Sequence, residues 1–335
     1  MRVLRWLTAA ALLVSGGSGA LGADRSLPML WFDQPAEKWT DALPIGNGRL
    51  GAMVFGGVPD ERIQFNEDTL WKGQPHDYVR AGAREHLAQI RQLLFEGKIK
   101  EAEGVAKTNF LSDPIRQKAY QPFGDLHFHF IEITNVTGYR RELNLDSAVA
   151  RVTYQSDGVT YQRDAFASFP DQVVVLHFTA DQPGHISFTL AMDSPQTNSR
   201  TRAISSDTLA LTGQVETGGL RFESRVRVAT DGGQTSTNGN ILLVKDANSA
   251  TVFLGAATSF KNFQDISADP EQRCNTAMTQ AAKHGYEDLL RRHLADYQKL
   301  FQRMNLDLGH TDRADLPSDR RQELVKSSGL DGDPA

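Results

Sequence analysis

The sequence predicts a mainly β fold, a large antiparallel sandwich with a helical segment inserted near the N-terminus and a helical stretch at the C-terminal end. Two observations carry this. From Asp125 to Thr258 apolar residues recur with a period of two, in short runs separated by turn residues at the spacing of antiparallel sandwiches. Before and after that stretch the period changes to that of a helix.

Taken in order, residues 1–23 read as a secretory signal peptide: Arg2 and Arg5, an apolar run from Trp6 to Val14, then small residues from Ser15 to Ala23 with cleavage after Ala20 or Ala23. The apolar run is about half of the roughly 20 residues a spanning helix needs, and no other stretch is apolar enough to span a bilayer. Cys274 is the sole cysteine of 335 residues, so no disulfide forms within the chain. An exported chain with one thiol suits a bacterial periplasm or exterior.

Residues 24–268 are expected to form the sandwich. Met29–Phe32 read as a first strand, followed by a Gly-rich turn and apolar runs at Ala52–Phe55 and Arg62–Phe65. Ala42–Ile45, with Pro44, makes a poor strand. Ala83, Leu87, Ile90 and Leu94 lie on one face of a helix ended by Gly97, and a second helix is expected from Lys98 to Thr108. Leu126, Phe128 and Phe130 then alternate with His127 and His129. Val152 and Tyr154 lead through Ser156, Asp157 and Gly158 to Val159 and Tyr161, a hairpin signature. Further strands are expected at 173–178, 186–192, 209–211, 222–228, 241–244 and 251–254.

Residues 269–335 are expected to be a helical linker. Leu289, Leu290, His293, Tyr297, Leu300 and Phe301 line one side of a helix, with Arg291, Arg292, Gln298, Lys299 and Gln302 on the other. Asn305–Leu308 reads as a returning strand, and Ser318 as the cap of a short helix over Asp319–Lys326.

Net charge is −5, with 23% charged residues. This balance offers no broad basic face for nucleic acid. Gly46, Asn47, Gly48, Arg49, Leu50 and Gly51 match G-x-G-x-x-G, yet a strand and not a helix follows, so the glycines serve a tight turn and no dinucleotide cofactor is implied. Glu67 and Asp68 are adjacent on an extended segment and point to opposite sides, which excludes them as a pair flanking one glycosidic bond. His127 and His129 share a strand face, but no third ligand has metal-site spacing in sequence, so both read as solvated or hydrogen-bonded and no metal is expected. Cys274 has no partner histidine in sequence that would make it a nucleophile, and no serine lies in G-x-S-x-G.

The segments L-P-I-G-N-G-R-L-G-A-M-V-F-G-G-V (Leu43–Val58) and E-R-I-Q-F-N-E-D-T-L-W-K-G (Glu61–Gly73) resemble the N-terminal region of glycoside hydrolase family 95. The likeness continues through Y-Q-P-F-G-D-L (Tyr120–Leu126), Y-R-R-E-L-N-L-D (Tyr139–Asp146), H-L-A-D-Y-Q-K-L-F-Q-R (His293–Arg303) and L-P-S-D-R-R (Leu316–Arg321), spanning roughly Leu30 to Ala335. The resemblance implies an exported α-L-fucosidase-like or α-L-galactosidase-like hydrolase with a β-supersandwich and a helical linker. It further implies an (α/α)6 barrel carrying the catalytic glutamate and aspartate of an inverting reaction on fucosylated oligosaccharides or polysaccharides. That barrel would start near Ala335, so no catalytic position is carried over, and the chain is expected to be a truncated or split product. Asn66, Glu67, Trp71, Asn47 and Arg49 are the candidates for edging the substrate cleft or fixing the contact between domains. The competing reading is a stand-alone carbohydrate-binding or scaffold protein.

Overall fold

Alternating apolar residues bury one face of a strand, and facing sheets that both do so make a sandwich. The computed structural model describes residues 28–306, 308–309 and 311–329, so residues 1–23, expected to be a signal peptide, lie outside the described residues. The strands are β1 (Met29–Phe32), β2 (Leu43–Gly46), β3 (Leu50–Val54), β4 (Asp60–Glu67), β5 (Gly124–Phe130), β6 (Thr137–Asn144), β7 (Val149–Ser156) and β8 (Val159–Ser168). There follow β9 (Val173–Ala180), β10 (Ile186–Asp193), β11 (Ser199–Ser205), β12 (Thr208–Gln214), β13 (Arg221–Asp231), β14 (Gln234–Asn238), β15 (Ile241–Ala247) and β16 (Ser249–Thr258). Helices α1 (Leu87–Phe95) and α2 (Ile99–Val105) lie between β4 and β5, and α3 (Pro270–Ala281), α4 (Tyr286–Phe301) and α5 (Ser318–Ser328) follow β16.

One antiparallel sheet has nine strands in the order β1-β6-β7-β8-β9-β16-β13-β12-β11, and the other has seven, β14-β15-β10-β5-β4-β3-β2. Their inner faces meet in one core. Phe128 of β5 and Phe188 of β10 both pack on Phe178 of β9, with ring centroids 5.3 Å and 5.5 Å apart. The nine-stranded sheet is also covered outside. Val173 and Val175 of β9, Phe166 of β8 and Phe253 of β16 pack under Cys274, Met278 and Ala281 of α3 and Leu289 of α4. Burial on both faces explains why Val173–Leu176 is a continuous apolar run and not an alternating one.

The expected mainly β supersandwich, with its helical insertion and C-terminal helices, is observed, with local corrections. Leu43–Gly46 is a strand despite Pro44, because β2 is the edge of its sheet, where a missing N–H breaks no ladder. Ala83–His86 is a 3-10 turn ahead of α1, and only Ile90 of that helix is buried. α2 is shorter than 98–108 and passes into a π-type turn over Ala106–Phe110. The described residues of 305–308 lie outside any strand. Ser318 opens α5 but does not cap it: its hydroxyl accepts the Trp31 backbone N–H at 3.1 Å, tying α5 to β1. On α4, Arg292 and Gln298 turn toward the sandwich, to Asp171 and Asp146, and the exposed Gln302 just after the helix also bonds Asp146. The His293 ring is buried and its Nε2 donates to the Ser147 carbonyl at 2.8 Å. No helix among the described residues is long and apolar enough to cross a membrane.

The β7–β8 hairpin turns through Asp157 (φ 50°) and Gly158 (φ 82°), the pair of left-handed residues a two-residue type I′ turn requires. Gly158→Ala is expected to lower the unfolding free energy by about 1 kcal/mol, read as a reduced urea midpoint. An unchanged midpoint would show that the turn tolerates a Cβ there.

Candidate functional site

The motif residues gather at one end of the sandwich, where the β2–β3 turn, the end of β4, the β8–β9 turn and the end of β16 converge. Asn47 builds the turn: its Oδ1 accepts the N–H groups of Arg49 (3.1 Å) and Leu50 (2.7 Å), and its Nδ2 donates to the Ser168 carbonyl at 2.9 Å. A side-chain acceptor two and three residues back is what lets the chain reverse so tightly. Arg49 then reaches across to the other sheet, donating to Gln172 Oε1 (2.6 Å), the Gln172 carbonyl (3.0 Å) and the Ala256 carbonyl (2.6 Å).

Glu67 turns inward, while Asn66, the residue before it on β4, is half-buried on the alternate face. Asn66 Oδ1 accepts the Phe123 N–H at 2.7 Å. Glu67 is buried; its Oε2 accepts from the Thr69 N–H (2.9 Å) and hydroxyl (2.7 Å), and its Oε1 lies 3.6 Å from Arg49 Nη1. Burial pushes the Glu67 carboxyl above its ordinary range, against the bonds from Thr69 and the Arg49 charge. Asp68, the next residue, faces solvent.

Trp71 differs from these four. It is 44% exposed, its ring packs on Tyr120 at 5.2 Å, and its Nε1 donates to the Asp68 carbonyl at 3.0 Å. It lines a groove of about 300 Å³ with Asp68, Lys72, Gln74, Phe260 and Phe263. Phe263, 76% exposed, comes from the loop after β16. That loop has no periodic pattern, so nothing in the sequence pointed to Phe260 or Phe263. An aromatic wall beside amide and charged groups is suited to a sugar ring and its hydroxyls. A second groove, of about 250 Å³, lies between β11–β13 and α3. Each groove has one carboxylate on its lining, Asp68 in the first and Asp207 in the second, and Asp207 is paired with Arg227 at 3.0 Å.

Elsewhere, Cys274 is buried and its thiol is pushed up to about 12 by burial, which removes it as a nucleophile at neutral pH. His129 contacts Asp60 at 2.7 Å, and His127 Nε2 lies 3.3 Å from Asp193 Oδ2. The donor atoms of Asp125, His127 and Asp193 all lie within 4.8 Å of one another.

Comparison with known proteins places the chain. The family described as glycosyl hydrolase family 65, N-terminal domain, matches residues 30–263. Alpha-L-fucosidase 2 of Arabidopsis thaliana is 36% identical over 94% of this chain and 41% of its own length. A probable alpha-fucosidase A of Aspergillus niger is 30% identical over 96% of this chain and 43% of its own. A solved structure, a putative kojibiose phosphorylase from human microbiome, overlaps 77% of this chain and 35% of its own, with 11% identity and a TM-score of 0.49. The chain thus spans less than half the length of the curated relatives it matches. With a matching profile over most of the sandwich and fucosidase relatives across nearly the whole chain, the protein belongs to the glycosyl hydrolase family 65 N-terminal domain family and is an α-L-fucosidase-like N-terminal region.

Proposed function

We propose that this chain is the non-catalytic N-terminal region of an exported α-L-fucosidase-like glycoside hydrolase. In this reading residues 24–268 and the linker 269–335 support a helical-barrel region, which supplies the acid and base for inverting hydrolysis of fucosylated glycans. The observation that carries the reading is the chemistry of the Trp71 groove, an aromatic wall and polar rim with a single carboxylate. Inverting hydrolysis needs two carboxyls about 6.5–9.5 Å apart, and the neighbouring Glu67 is buried in structural bonds. Asn47, Arg49, Asn66 and Glu67 then act as the foundation that holds the Trp71 loop. The C-terminal half of α4 supports an adjoining region, since Leu300 is 61% exposed and Met304 and Leu306 continue the apolar surface beyond it.

Two measurements test this. The purified chain, incubated with a fucosylated oligosaccharide, is expected to release no L-fucose above the blank; turnover at enzymatic speed overturns the reading. A chimera in which this chain replaces the aligned part of the Arabidopsis relative is expected to be active, and Trp71→Ala within it to raise KM about 10-fold, the scale of about 1.4 kcal/mol of lost contact, with an unchanged melting temperature. A lower melting temperature with unchanged KM would instead make Trp71 a packing residue. The exposed pair Trp71 and Phe263 also favours a second reading, a carbohydrate-binding module, for which the chain alone would bind the same glycan calorimetrically.

A further inference from the structure

We infer that the outer face of the seven-stranded sheet carries a divalent-cation site of the zinc class, built from Asp125, His127 and Asp193. Asp125 and His127 stand two residues apart on β5 and so project from the same face, while Asp193 of β10 is the cross-strand partner of Asp125. Three donors thus come from two adjacent, hydrogen-bonded strands, the rigid support a metal site needs.

The distances fit. His127 Nε2 and Asp193 Oδ2 are 3.3 Å apart, which is about the separation of two donors on a tetrahedral ion with bonds of roughly 2.0–2.1 Å. All three donor groups fall within 4.8 Å of one another, so the exposed His127 and Asp193 side chains can close on an ion seated against Asp125. One imidazole and two carboxylates are a hard-to-borderline donor set, suited to Zn²⁺.

Arg62 completes the arrangement. It grips both oxygens of Asp125, Nε to Oδ1 at 3.0 Å and Nη2 to Oδ2 at 3.1 Å. A carboxylate oxygen has two lone pairs, so each keeps one for a metal, and Arg62 plays the part of the outer partner that orients a ligating carboxylate. The strand end is also held close: a Cβ at Gly124 would stand 2.4 Å from the Asp193 carbonyl, so only glycine permits this approach, and Ser194 Oγ bonds the Phe123 carbonyl. An ion there would clamp β5 to β10 beside Phe123, whose ring packs on Phe65 and Phe222. The site stands independently of the fucosidase reading.

The test is calorimetric titration of the full chain with ZnCl2, with Co²⁺ absorption as a second readout. One ion per chain is expected to bind, with the melting temperature raised at saturation. His127→Ala and Asp193→Asn should each weaken binding more than about 10-fold, whereas His129→Ala should leave it unchanged. His127 and Asp193 are exposed, so these variants keep the metal-free melting temperature, which identifies any that do not fold. Absence of binding at millimolar ZnCl2, or binding that ignores His127 and Asp193, overturns the site.

Discussion

Replacing Arg163 with leucine is expected to lower the unfolding free energy at pH 7 by about 2–4 kcal/mol, the cost of orphaning the buried groups it bonds and of removing the positive charge that acts on Glu61. Arg163 sits on β8 between the sheets and is 6% exposed. Its guanidinium carbon lies 3.4 Å from the centre of the Phe130 ring, Nη1 donates to the Gly57 carbonyl at 2.8 Å, and Nη2 donates to the Tyr154 hydroxyl. It is the positive charge nearest in effect to the buried Glu61 carboxyl. Leucine would fill much of the volume but orphan an acceptor and a hydroxyl and strip Glu61 of its counter-charge. Urea unfolding measures the loss. The cost should shrink at pH 5, where Glu61 is protonated in the folded state and no uncompensated charge is left behind. A loss below about 1 kcal/mol, ordinary for a point substitution, would mean that the ring and carbonyl contacts carry no net weight.

The same polar core explains much of what was and was not legible in the sequence. Strands with a clean inner face, such as β5 with Leu126, Phe128 and Phe130, could be read directly, as could the Asp157–Gly158 hairpin. β6 escaped because Arg140 and Arg141 interrupt its pattern. Yet Arg141 is 1% exposed, its guanidinium over the Phe32 ring and bonded to the carbonyls of Gln34 and Asp41. A charge buried by backbone acceptors looks, in sequence, like a solvated one. β11 and β14 are edge strands with largely polar or exposed residues, so they lack the apolar alternation that marks a strand. For the site, the motif glycines and asparagine pointed to a turn, which is what Asn47 builds. The bonds that fix Asn66 and Glu67 go to Phe123 and Thr69, partners that spacing does not reveal. Of the Asp125–His127–Asp193 grouping, Asp125 stands two residues from His127 in sequence, whereas Asp193 is brought in by strand register from far along the chain, so spacing alone could not assemble the three.

Glu61 gives the second large effect, a pH dependence of stability with a definite sign. Its carboxyl is buried, accepting from the N–H groups of Gly56 (2.9 Å) and Arg62 (3.0 Å), and burial raises it from its ordinary 4.5 to about 7 despite the opposing charge of Arg163. Between these values the folded protein holds a proton that the unfolded chain has released. The stabilising contribution is therefore complete below pH 4.5, declines as pH rises, and is gone above pH 7. The shift corresponds to about 3 kcal/mol across that window. Many groups titrate there, so the informative quantity is the difference between the native protein and Glu61→Gln, which keeps an acceptor but cannot ionise. That difference is expected to fall by about 3 kcal/mol from pH 4.5 to pH 7.5 and to stay flat above pH 8. If the attraction of Arg163 outweighed burial, the folded carboxyl would titrate below 4.5 and the difference would rise with pH, so the sign of the slope decides between the two forces. Repeating the series with Arg163→Leu should extend the falling window to higher pH, because the largest of the influences holding Glu61 ionised would have been removed, with the backbone N–H bonds left in place.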